Sequence, residues 1–131
     1  MSDRVLAATT IGAFHTEVRE YPFPQIPPDA GVLMVEAAGV CGSDWKSYQS
    51  DGPVRIMGHE NVGHVYRIGS VAARRWGLHE GDRVALELFV VCLTCEQCRS
   101  GNYHLCPSRK GHGINMPGGL REYEILEVQY L

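Results

Sequence analysis

The sequence predicts a mainly β fold made of many short elements, on three observations. Its 15 Gly and 7 Pro are scattered along the chain and form no low-complexity run, the punctuation expected of short strands joined by turns. Strand-like apolar runs recur from one end to the other. Helix signals are weak throughout.

Residues 4–9 are short and apolar, and residues 15–21 carry a weak polar/apolar alternation. Segment 21–28 (YPFPQIPP) holds four prolines and reads as an extended loop that cannot donate a full sheet ladder. The run 31–38 (GVLMVEAA) is more apolar and is expected to be buried on both faces. Residues 43–49 suit one or two helical turns, with Ser43 or Asp44 as N-cap. Segment 61–68 alternates, with Val62, His64, Tyr66 and Ile68 on one face and Gly63, Val65 and Arg67 on the other. Segment 83–91 (RVALELFVV), after the turn Gly81-Asp82, is the strongest strand expectation. Residues 96–99 suit another helical turn. Residues 121–131 are strand-like and follow the turn Pro117-Gly118-Gly119. The chain stops inside that apolar run, which reads as a truncation. No internal repeat or linker is visible.

The 131 residues suit one domain with a modest core. A hydrophobic fraction of 44% and a charged fraction of 21% are ordinary for a globular chain. The formal charge of -3, without a basic cluster, argues against nucleic acid and against an anionic membrane surface as partners. No apolar run is long enough to span a bilayer, and the N-terminus lacks a signal-peptide pattern. These features point to a cytoplasmic protein.

There are five cysteines. Four of them form Cys92-x2-Cys95-x2-Cys98-x7-Cys106, a spacing that can close a tetrahedron of thiolates around zinc, with bonds of roughly 2.3 Å. Four ligands leave no open position, so such a site is structural. The competing readings are a pair of disulfides or free buried thiols, and the cytosolic signs favour metal. The fifth, Cys41, lies in GVCGSD just after a strand, and His59 lies in GHE just before one. Cys41, His59 and Glu60 can converge on one metal and leave a position open, as a catalytic zinc requires. Read on spacing alone, the plainer alternative is favoured, with Cys41 a buried small hydrophobe and His59 a core or surface residue.

GVCGSD, GHENVG, GLHEGDRVAL, the four-cysteine motif and GGLREY, in this order and spacing, resemble the N-terminal catalytic domain of zinc-containing medium-chain dehydrogenases, the family of alcohol, sorbitol and threonine dehydrogenases. The resemblance runs from Val5 to about Leu126. It implies a GroES-like, partly open β-barrel over residues 1–131, incomplete, with a structural-zinc lobe at about 91–107. It implies that Cys41 and His59 ligate a catalytic zinc and that Glu60 ligates it or lies beside it. It further implies that Ser43 receives the substrate proton and that Asp44 orients the zinc-bound imidazole. Ser43 and Asp44 would otherwise simply cap a short helix. The implied reaction is oxidation of a small-molecule alcohol to an aldehyde or ketone by hydride transfer to NAD or NADP, in an intact homo-oligomeric enzyme.

The sequence departs from the family in two ways. Where many members carry the histidine that ends a proton relay, this chain has Lys46, so the relay runs to water or Lys46 meets an anion; Trp45 beside it either lines a pocket or packs. No strand–GxGxxG–helix unit occurs, so no residue is assigned to nucleotide binding, and a nucleotide-binding domain and a third catalytic ligand are expected beyond Leu131. The alternatives are a free-standing GroES-like zinc module used for binding or assembly, and a nucleic-acid-binding zinc lobe. His15, His64, His79, His104 and His112 belong to no motif and are taken as surface or packing residues.

Overall fold

The computed structural model describes residues 4–127. Strand β1 (Arg4–Gly12) turns the side chains of Val5, Ala7 and Thr9 inward and pairs antiparallel with the exposed β2 (His15–Pro22). The hairpin tip puts Phe14 at φ 55, a conformation unfavourable for a bulky residue. It is tied down from outside: the Phe14 N–H donates to the Tyr48 carbonyl at 2.8 Å, and its ring meets Tyr48 and Trp45 edge-on at 5.6 and 6.2 Å.

Strand β3 (Ala30–Gly39) runs into helix α1 (Gly42–Tyr48), followed by the short β4 (Arg55–Ile56) and the long β5 (Glu60–Ile68). Helix α2 (Ser70–Trp76), β6 (Arg83–Ala85), β7 (Phe89–Val90), helix α3 (Glu96–Arg99), a 3-10 turn (Tyr103–Leu105), β8 (Lys110–Gly111) and β9 (Tyr123–Glu127) complete the described chain. One sheet has the order β2-β1-β4, a second β6-β5-β3-β9, and β7 pairs with β8 alone. The two larger sheets meet along one seam. There Ala7 bridges Arg121, the Ala8 N–H donates to Leu120, the Glu122 N–H to Leu6, and the Val35 N–H to Glu122. Strands β2 and β6 lie at the far edges. The mainly β, partly open barrel implied by the resemblance is the architecture found. Its core centres on Leu33, Val65 and Leu126, with Val35, Trp76, Val84 and Leu86 packed around them.

Several expectations need correction. The strand over 83–91 breaks because its apolar residues serve two cores: Val84 and Leu86 pack in the barrel, while Phe89 and Val91 pack among the cysteines. The run 31–38 is buried on both faces only through Leu33; Met34 is 41% exposed. In β5 the alternation holds, and Asn61, Gly63 and Val65 form the buried row. Helix α2 was not anticipated. It ends at Gly77 in the left-handed region, φ 63, and the Pro28 carbonyl receives its Val71 and Ala72 N–H groups at 2.9 and 3.1 Å. Of the strand expected over 121–131, residues 123–127 form β9, Arg121 makes only an isolated bridge to Ala7, and residues 128–131 lie outside the described residues.

Gly63 sets the approach of β5 to β3, since a Cβ there would overlap the Met34 carbonyl. Gly63→Ala is therefore expected to cost about 3 kcal/mol or more, seen as a lowered denaturation midpoint or loss of folding. Gly42→Ala, whose Cβ meets nothing within 4 Å, is expected to leave stability unchanged or raise it by up to about 1 kcal/mol.

Candidate metal centres

Strands β7 and β8 pair through Phe89 with Gly111 and Val90 with Lys110, closing the neck of a lobe that holds Cys92, Cys95, Cys98 and Cys106. Its interior is Val91 and the cysteines themselves, with Phe89 against them. Two turns aim backbone N–H groups at sulfur: Cys95 donates to Cys92 Sγ and Cys98 to Cys95 Sγ, each at 3.4 Å. None of the cysteines is in a disulfide, and the four sulfurs lie within 4.8 Å of one another. Cys92 Sγ is 3.9 Å from that of Cys98 and 3.7 Å from that of Cys106. The edge of a tetrahedron with zinc–sulfur bonds of roughly 2.3 Å is about 3.8 Å, so the sulfurs fit a zinc ion.

The electrostatics agree. The Thr94 backbone and side chain, with the Cys95 N–H, pull the Cys92 thiol down to about 6. Burial, with the neighbouring sulfurs, pushes Cys98 up to about 12. One thiol is prepared as a thiolate and another is held protonated until a cation is present to offset the charge.

The second cluster forms where β3 passes into α1. Cys41 is the N-cap of that helix, and its sulfur accepts from the Ser43 N–H at 3.3 Å while Asp44 Oδ2 accepts from the Cys41 N–H at 3.1 Å. This is a reciprocal capping box with sulfur in the usual hydroxyl position. His59 reaches in from the turn between β4 and β5, where Gly58 has φ +95, a backbone conformation that side chains rarely adopt. Cys41 Sγ and His59 Nε2 are 3.1 Å apart, and Ser43 Oγ is 2.9 Å from the same sulfur. Behind the ring, the buried Asp44 places Oδ1 3.3 Å from His59 Nδ1; the two are in ion-pair range, although the nitrogen is not aligned as a hydrogen bond. Donor atoms of Cys41, His59 and Glu60 all lie within 4.8 Å of one another. The five residues singled out from the sequence therefore come together, three as possible ligands and two beside them. Lys46 and Trp45 are exposed. Val40 is 69% exposed beside Cys41, and Phe14 on the β1–β2 tip and Trp45 on α1 are exposed and in ring contact.

One cluster was missed. His112 and Glu124 are among the most deeply buried side chains of the chain, with His112 Nδ1 2.9 Å from Glu124 Oε1. The other Glu124 oxygen accepts from Asn61 Nδ2 at 2.9 Å. Glu124 shares the inward row of β9 with Leu126, and that period-two position is the only signal the sequence offers.

Among the described residues, no helix is long and apolar enough to cross a membrane. Residues 27–131 match the family described as alcohol dehydrogenase GroES-like domain. A Mycobacterium tuberculosis protein named "Probable alcohol dehydrogenase adh" is 44% identical over 125 residues, covering 83% of this chain and 33% of that protein. A zinc-type alcohol dehydrogenase-like protein of Haemophilus influenzae is 33% identical over 126 residues, covering 93% of this chain and 36% of its own length. The crystal structure of galactitol-1-phosphate dehydrogenase from Escherichia coli superimposes with a TM-score of 0.85 at 27% identity, over 93% of this chain and 36% of that one. The chain thus spans about a third of the length of these relatives.

Zinc uptake by the lobe must expel thiol protons, so its affinity is expected to rise with pH. Hydrogen bonds from Thr94 and Cys95 draw Cys92 down to about 6, and burial holds Cys98, at about 12, protonated until a metal offsets its charge. In a chelator competition run from pH 8 to pH 5, zinc is expected to be released as pH falls, with the steepest loss once Cys92 is protonated below about 6. An affinity independent of pH, or disulfides among the four cysteines, contradicts this assignment.

Proposed function

Since the chain belongs to the alcohol dehydrogenase GroES-like domain family, we propose that it is the zinc-carrying catalytic portion of an alcohol dehydrogenase-type oxidoreductase. The proposed reaction oxidises a small-molecule alcohol to an aldehyde or ketone and passes a hydride to NAD or NADP. The observation that carries this reading is the 3.1 Å approach of Cys41 Sγ to His59 Nε2, with Glu60 in reach and a buried carboxylate behind the ring. A soft thiolate, an imidazole and a carboxylate form a donor set suited to zinc, and three protein ligands leave one position open.

A zinc ion held there by Cys41, His59 and Glu60 would supply the positive charge that makes an alcohol hydroxyl acidic near neutral pH. The remaining work falls to the chain. Asp44 favours the tautomer with the proton on His59 Nδ1, which leaves the Nε2 lone pair facing Cys41. Its second oxygen holds the Cys41 N–H, so one carboxylate stands against both donor residues. Ser43 Oγ, 2.9 Å from the Cys41 sulfur, is placed to accept the substrate hydroxyl proton. With Lys46 exposed nearby, that proton goes on to water. The alcohol would lose a hydride from its carbinol carbon, for NAD or NADP to take up, and a proton from its hydroxyl, two electrons and two protons in all. In this reading the lobe zinc is structural, because its four sulfurs leave no open position.

The nicotinamide must be held within a few ångströms of the reacting carbon, and misplacement by about 1 Å can cost about a hundredfold in rate. The sequence contains no strand–GxGxxG–helix unit, the usual phosphate cradle. The proposal therefore includes that the 131-residue chain alone neither binds the nucleotide nor turns over.

Two measurements test this. In a protein that joins this segment to a nucleotide-binding domain, Cys41→Ala and His59→Ala are each expected to lower kcat/KM by about a thousandfold or more, the several kcal/mol that a Lewis-acid metal contributes. Titration of the isolated chain with NADH is expected to give no saturable fluorescence change at micromolar concentrations. Saturable binding by the isolated chain, or alcohol turnover that Cys41→Ser abolishes, would show that it is competent alone.

A further inference from the structure

We propose that Glu124, through Asn61, is a positioning device for His59: the buried carboxylate fixes the peptide that precedes the ligand and so sets the direction of the imidazole. The inference rests on the reading of Cys41 and His59 as metal ligands.

The reason lies in Gly58. A glycine at φ +95 has few steric restraints, so the Gly58–His59 peptide plane must be held from outside. Two donors hold its carbonyl. The Gly119 N–H reaches it at 3.0 Å, and Asn61 Nδ2 at 3.4 Å. The same amide nitrogen donates to Glu124 Oε2 at 2.9 Å. The Asn61 side chain has no freedom to move away, because Gly119 lies so close that a Cβ there would overlap it. His112 Nδ1 lies 2.9 Å from the other Glu124 oxygen, in ion-pair range although not aligned as a hydrogen bond. Glu124 is fully buried and stands opposite Leu33 in the β3–β9 ladder. A carboxylate at the centre of a barrel core costs stability that an apolar side chain would not. Its hydrogen bond to Asn61 leads to the turn that carries His59, which is the gain to set against that cost.

The test is cobalt(II) titration of the 131-residue chain after its cysteine lobe has been filled with zinc. It reads both affinity and the ligand-field bands of a site with one thiolate and one imidazole. In the parent chain one cobalt is expected to bind. Asn61→Ala and Glu124→Ala are expected to weaken that binding by about tenfold or more, the usual effect of removing a group that orients a ligand, and to shift the ligand-field bands. Glu124→Gln keeps an acceptor for the Asn61 amide and is expected to stay within about threefold of the parent. Leu33→Ala removes core packing beside Glu124 without touching the relay, and its cobalt affinity and bands are expected to match those of the parent.

Parental affinity and bands in folded Asn61→Ala overturn the inference. So does a loss in Leu33→Ala equal to that in Glu124→Ala, which would reduce the network to core stability. If the alanine variants do not fold, Asn61→Ser decides, since its hydroxyl is too short to span Glu124 and the Gly58 carbonyl. Weakened binding then supports the relay, and parental binding overturns it. A parent chain that binds no cobalt beyond the lobe overturns instead the metal reading of Cys41 and His59, and the inference with it.

Discussion

The Asp44 carboxylate is the contact on which the site depends. One oxygen receives the Cys41 N–H and the other faces the ring of His59. Cys41 ends one strand connection and His59 opens another strand, 18 residues apart in sequence, so nothing local brings them together. Asp44 does so by starting helix α1 and meeting the histidine with the same side chain. Because it is almost wholly buried, its removal would leave the Cys41 N–H without its acceptor, at a cost of about 1–3 kcal/mol, and would take away the carboxylate that faces the imidazole. The rest of the molecule keeps α1 and the histidine turn where this contact can form. The β1–β2 hairpin tip grips the end of α1 through Phe14, and the seam at residues 118–120 hydrogen-bonds to Ile56, Met57 and Gly58, just ahead of His59.

The two candidate metal centres are built differently, and their physics explains why. In the lobe the ligands fall within 15 residues of chain, two of them on tight turns whose N–H groups already point at sulfur. With almost no apolar interior of its own, that segment would gain its fold from a bound metal. At Cys41 and His59 the fold comes first: a barrel core, a sheet seam and a helix cap hold the donors, and the metal would enter a prepared place. Only the second kind leaves room for a substrate.

The same contrast decides what could be read from the sequence. The lobe was legible from spacing, because four sulfurs in a short stretch have few other uses. Cys41, Ser43, Asp44, His59 and Glu60 were legible only through the order of their motifs, since spacing alone cannot say that two strand ends converge. Segment 83–91 looked like one strand because apolar alternation does not record that Leu86 and Phe89 belong to different cores. Helix α2 went unseen although Gly77 marks its end; seven residues give too little periodicity to register. His112 and Glu124 were invisible as a pair, since a buried glutamate on a strand looks like a solvated one until the strand's inward row is known.

Cadmium-113 NMR of the metal-loaded chain tests the central claim most directly, because the shift reports how many sulfurs surround each ion. Two resonances are expected, one with the shift of four thiolates and one with that of a single thiolate among nitrogen and oxygen. Asp44→Ala is expected to broaden or remove the second and leave the first in place. A single four-thiolate resonance in the parent chain, or a second one indifferent to Asp44→Ala, would contradict the account.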